Sequence, residues 1–120
     1  MSRVIHFEIC ASDPERAVAF YREALGWEIA SPPGMEQYWL ATTGQEGTPG
    51  FNGGIMGPHF PQAVINTIQV ESLEDTLARV QNAGGKKVHG PNDIPGIGTV
   101  AYCADPEGTL FSILQPTEGT

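Results

Sequence analysis

The feature that most constrains this chain is that it is written twice. Asp13-Pro14 reads as a helix start: an Asp N-cap, then Pro at the first helical position, where no N–H is needed. Ala17, Phe20, Tyr21, Ala24 and Leu25 follow at helical spacing, and Gly26 closes the element. A shift of 59 residues brings the same grammar again. Ser72 takes the cap, Leu73, Leu77, Val80 and Ala83 recur, and Gly84-Gly85 stop the helix. The shift lays Asp13 on Ser72, Glu15 on Glu74, Ala19 on Ala78, Ala24 on Ala83 and Gly26 on Gly85. Few identities survive, but cap, helix length and stop glycine coincide.

Each helix has a strand-like stretch before it, "VIHFEIC" at 4–10 and "VINTIQV" at 64–70. After the first helix, strands are expected at Trp27–Ala30, Tyr38–Thr42 and near Gly53–Met56. After the second they are expected at Lys86–Val88, Thr99–Ala104 and Leu110–Gln115. "SPPGMEQ" and "HGPNDIPGIG" read as loops. Gly53–Met56 has the weakest signal, because Asn52-Gly53 is also a hairpin turn pair and glycines weaken strands. The chain thus reads as β-α-β-β-β twice in one α+β domain spanning 1–120, module one about 3–57 and module two about 62–116. At 120 residues it can bury a core without disulfide or metal staples.

Fourteen acidic against six basic residues leave a net charge of −8. Such a surface repels phosphate backbones, so no nucleic-acid and no anionic-membrane partner is expected. A cationic small molecule would be welcomed, although acidity also serves solubility. No apolar run reaches the roughly 20 residues of a membrane span. The start "MSRVIHFEIC" does not read as a signal peptide, which gives a cytoplasmic expectation with Cys10 and Cys103 as reduced thiols. Neither cysteine has a basic neighbourhood in sequence, so both read as small apolar residues rather than nucleophiles.

Strict alternation in the first strand puts Ile5, Phe7 and Ile9 on one face and His6, Glu8 and Cys10 on the other. His6 and Glu8 can form an acid/base pair, a polar wall of a pocket, or a structural pair satisfying each other's hydrogen bonds.

The stretch "HFEICASDPERAVAFYREALGW", then "GGIM", then "IPGIGTVAYCADPEGTLFSILQP" resembles the vicinal-oxygen-chelate superfamily of glyoxalase I, bleomycin-resistance proteins and extradiol dioxygenases. The likeness covers about residues 3 to 116 and is specific for the fold rather than for a reaction. It implies paired βαβββ modules whose curved mixed sheet encloses a cleft, with helices outside and a homodimeric assembly. In metal-dependent members, similar positions on the first and last strand of each module hold a divalent ion that polarises two substrate oxygens. Carried over, they fall on His6, Gly53, Ile65 and Ser112. One histidine does not make a site that normally needs three protein ligands, so no metal and no cofactor are expected.

The ligand-binding set is read as His6, Glu8, Trp39, Asn52, Ile65, Thr67, Gln69, Tyr102 and Ser112, with His6 and Glu8 also the catalytic candidates. Leu110, Leu114, Tyr38 and Met56 could join them, and pattern alone does not fix the facing of Tyr38, Trp39, Asn52, Met56 or Tyr102. Two function classes stay open. One is a protein binding a small organic ligand in the inter-module cleft, like the bleomycin-resistance branch. The other is a glyoxalase-like lyase, isomerase or dioxygenase acting on a small oxygenated metabolite, with His6 and Glu8 as its acid/base pair.

Overall fold

A computed structural model describes residues 2–117. Its elements run β1 (Arg3–Cys10), α1 (Pro14–Leu25), β2 (Glu28–Ala30), β3 (Tyr38–Thr42), β4 (Gly53–Met56), β5 (Val64–Gln69), α2 (Leu73–Asn82), β6 (Lys86–Ile94), β7 (Gly98–Ala104) and β8 (Leu110–Pro116). The α+β class and the doubled β-α-β-β-β order are as the repeat requires. The chain clusters into two compact units, one of His6–Ile65 and one of the residues on either side.

In the His6–Ile65 unit, Asp13 Oδ1 accepts from the Arg16 N–H at 3.3 Å, and Gly26 takes a left-handed φ of 72° to return its N–H to the Arg22 carbonyl. The strands lie in the order β2-β3-β4-β1, with β4 parallel to β1 and the other pairs antiparallel. Helix α1 packs Val18 onto Ile29, Ala41 and Ile55, with Ile9, Tyr21, Trp27 and Trp39 around them. Alternation therefore leaves His6, Glu8, Tyr38, Leu40, Gly54 and Met56 on the opposite face. Trp27 stays outside β2 and stacks on Tyr21, ring centroids 4.8 Å apart.

The doubtful strand at Gly53–Met56 forms, and all four residues are buried. Its glycines are required by their neighbours. A Cβ on Gly53 would enter the Phe7 ring, and one on Gly54 would enter the phenol of Tyr38. Each aromatic side chain occupies space that the glycine leaves empty.

In the second unit Ser72 Oγ accepts from the Asp75 N–H at 3.1 Å and caps α2. The strands lie β5-β8-β7-β6, with β5 parallel to β8 and the rest antiparallel. Helix α2 covers a core of Val70, Leu73, Ala101, Cys103 and Ile113, flanked by Ile68, Leu77, Val80 and Phe111. One expectation is corrected here. β6 does not stop at Val88 but continues to Ile94, through part of the stretch read as a loop. Its register to β7 shifts between Lys87 and His89 and again before Asn92. Pro91 is tolerated because β6 is an edge strand and irregular pairing absorbs a residue that cannot donate.

Candidate functional site

The open face of the first unit carries a chain of three hydrogen-bonding side chains. Glu8, at the centre of β1, is 7 % exposed, and His6 beside it is half-buried. Tyr38 comes from β3, where it pairs with Met56, while Leu40 pairs with Gly54 and Gly54 with Glu8. The phenol leans over Gly54, and only a residue without a side chain lets it pass. It then donates to Glu8 Oε2 at 2.8 Å, and its oxygen lies 2.9 Å from His6 Nε2.

Proton accounting fixes the direction of the chain. Tyr38 has one hydroxyl proton and gives it to Glu8, so the hydrogen bond to His6 needs the proton on Nε2. The order is Nε2–H to Oη, then O–H to carboxylate. Burial pushes the His6 pKa below its ordinary 6.5, opposed by the weaker attraction of Glu8 for the imidazolium. The neutral ring then carries its free lone pair on Nδ1. His6 makes no other hydrogen bond among the described residues, and no buried side-chain nitrogen or oxygen lacks a partner there. Nδ1 is therefore open to solvent.

Cys10, next on the same face, has its thiol pushed up by burial, assisted by the charge of Glu8 and opposed by a hydrogen bond to the Phe60 backbone. Cys103 lies in the second core, its thiol also pushed up by burial against the pull of Lys87.

The second unit has the corresponding row with different chemistry. Thr67, Ser112, Tyr102 and His89 stand side by side across β5, β8, β7 and β6. Ser112 is 1 % exposed and donates its hydroxyl to Thr67 Oγ1 at 2.8 Å. The Tyr102 and His89 rings lie 6.3 Å apart. A hollow at the β6–β7 turn, lined by Asp93, Pro95, Gly98 and Gln115, lies beyond this row, with Asp93 held by Thr99 Oγ1 at 2.7 Å.

The residues read from sequence sort as follows. His6 and Glu8 come together, and so do Thr67, Ser112 and Tyr102 within their own unit. Gln69 is exposed at the end of β5. Three readings are corrected. Trp39 alternates onto the helix side and packs around the first core. Asn52 precedes β4 and closes the 43–52 loop, its Oδ1 accepting from the Thr43 N–H at 2.9 Å. Ile65 is 0 % exposed, a packing residue rather than an accessible lining one. The counterpart of Ser112 is also moved by one position. Ser112 pairs with Thr67 as Gly54 pairs with Glu8, so Gly54 and not Gly53 stands there. Tyr38, whose facing the sequence left open, joins His6 and Glu8. Its only signal was a Tyr at a strand start opposite a glycine-rich strand.

Comparison with known proteins agrees with this architecture. The family profile of the bleomycin resistance protein-like N-terminal domain matches residues 3–44. A Mycobacterium bovis protein provisionally named a glyoxylase, CFP32, is 31 % identical over 117 residues, covering 91 % of this chain. The chain spans 42 % of the length of that relative. A glyoxalase/bleomycin resistance protein/dioxygenase superfamily member from Vibrio splendidus superposes with a TM-score of 0.67 at 21 % identity, covering 98 % of this chain and 100 % of that one. Methylmalonyl-CoA epimerase from Mycobacterium tuberculosis superposes at 0.68 with 16 % identity, covering 95 % and 87 %. The fold is that of the glyoxalase-like proteins. The matched profile and the glyoxylase-named relative support assignment of the chain to the vicinal-oxygen-chelate superfamily.

Proposed function

We propose that this chain binds a small organic ligand on the open face of its first unit, anchored by His6, Tyr38 and Glu8. The observation that carries the reading is the buried Glu8 accepting from Tyr38, whose hydroxyl is in turn hydrogen-bonded to the half-buried His6. Apolar walls with a few convergent polar groups are the usual make-up of such sites, and Leu40 and Met56 supply the apolar part here.

The divalent ion of metal-dependent relatives does not fit the four corresponding positions. Gly54 and Ile65 offer no side-chain ligand, the buried Ser112 hydroxyl is a weak neutral one turned to Thr67, and a single histidine does not make a site that normally needs three protein ligands. Among the described residues no group of three His, Cys, Asp or Glu could hold an ion. The site reads as hydrogen-bonded rather than metal-bonded. The second reading, a glyoxalase-like enzyme working through side chains alone, is favoured by the same alignment, since a base oriented by a further group is how acid/base sites are built. Relatives named as a glyoxylase and an epimerase support that class. A homodimer in the cytoplasm remains part of the proposal.

A thermal-shift screen of small organic molecules against wild type, His6→Ala and Glu8→Gln tests the reading. Ligands should stabilise the wild type and lose their effect in both variants. Hits indifferent to both changes would remove these residues from the site.

A further inference from the structure

We infer that the ligand of the first unit is a slender amphipath that carries no negative charge. Its polar head meets His6, Tyr38 and Glu8, and its apolar body, one ring or one chain wide, crosses β3 toward the edge strand β2. The inference rests on the ligand site just proposed and names the class of molecule that fits it.

Width and direction follow from the strand pairing. Ile29 and Ala41 belong to the core under α1, so alternation turns Glu28 and Ala30 of β2, and Leu40 and Thr42 of β3, to the open face. All four are exposed there. Pairing sets Glu8, Gly54, Leu40 and Ala30 side by side in one row across four strands. The Tyr38 phenol fills the gap over Gly54, and Ala30 is too short to cover Leu40 from the other side. Leu40 is left 44 % exposed in the middle of the row. Tyr38 and Thr42 stand about 6.5 Å to either side of Leu40 along β3, and their own bulk leaves the strip between them one ring wide. Strands lie about 4.8 Å apart, so the row runs about 14 Å from Glu8 before the sheet ends at β2.

The charge rule follows from which side chains stand on this face. Its strands present two carboxylates, Glu8 and Glu28, and no lysine or arginine among the described residues of the unit. Arg16 and Arg22 belong to α1 on the other side, where Arg22 donates to the Ile29 carbonyl. Burial also holds the His6 imidazole toward its neutral form. A carboxylate or phosphate on the ligand therefore meets repulsion and no partner cation.

Isothermal titration with a matched series tests this. Benzamide, 4-ethylbenzamide and 4-butylbenzamide share one neutral head and differ only in apolar length. Wild-type affinity should rise about two-fold per methylene, half the gain of full burial because one side of the body faces water. Leu40→Ser should flatten the series, and Leu40→Thr, better suited to a strand, replaces it if the serine variant fails to fold. The same-shaped anion 4-butylbenzoate should bind wild type about 10-fold more weakly than its amide, and Ala30→Lys should narrow that gap. A flat wild-type series overturns the apolar strip, and equal affinity for the benzoate overturns the charge rule. Either result leaves the trio standing as a site if His6→Ala still abolishes binding. Amides that bind His6→Ala as well as wild type take the head away from the trio, and the proposed function falls with this inference. If no amide binds while other molecules depend on His6, this inference alone falls. Monomers formed from a dimer by Leu40→Ser would assign the strip to a second copy of the chain and overturn the ligand class. If no small molecule binds at all, the binding reading and this inference both fall.

Discussion

At the scale of the residue, His6 is balanced between burial, which disfavours the imidazolium, and Glu8, which favours it, and burial is the larger. The sign of the pH effect follows. The unfolded chain takes this proton near 6.5 and the folded chain only at lower pH, so between the two values the unfolded state binds more protons. The stability is complete above 6.5 and is lost as pH falls toward the folded value. Urea midpoints of wild type should therefore drop more than those of His6→Gln between about pH 7.5 and pH 5. Parallel profiles would contradict this. Gly54→Ala drives a methyl group into the Tyr38 phenol. Overpacking of this kind costs about 1–3 kcal/mol, and the urea midpoint should fall accordingly. Both thiols are pushed up by burial, so at neutral pH they should react with a disulfide reagent more slowly than free cysteine. One fast thiol would overturn that assignment.

At the scale of the element, the two helices owe their starts to Asp13 and Ser72, whose side chains take the same orphan N–H position. Asp13→Ala and Ser72→Ala should each cost about 1 kcal/mol. Their losses should add within about 0.5 kcal/mol, because the caps share no partner. Denaturation of the two single variants and the double variant checks this. These caps were legible because capping is local: an acceptor, a spacing and a stop glycine, all within one stretch of sequence. The first strand was legible by alternation, which placed His6 and Glu8 on one face. Tyr38 was not, because its role depends on β3 lying beside β4 and on Gly54 leaving a gap, neither of which leaves a local trace. The same cause moved the Ser112 counterpart from Gly53 to Gly54. The loops ahead of the last strands differ in length between the halves, so the offset that aligns the helices is one residue too long for β4 and β8. Asn52 and Trp39 failed for a related reason. A polar or aromatic type suggests a ligand contact, but the alternation phase of β3 and the loop clamp on Thr43 decide otherwise.

At the scale of the whole molecule, a duplicated fold has let its two copies diverge. Each presents a polar row on the strand face away from its helix. In the second copy Ser112 and Thr67 satisfy each other out of reach of solvent, whereas in the first the row ends in an accessible imidazole nitrogen. None of the described helices is long and apolar enough to cross a membrane. The central claim is that ligand binding belongs to the first copy. NMR chemical-shift mapping with any hit from the small-molecule screen tests it most directly. The account predicts that the largest shifts gather on His6, Glu8, Tyr38 and Leu40. Shifts centred instead on the Thr67–Ser112 pair or on the Asp93–Gly98 turn would contradict it.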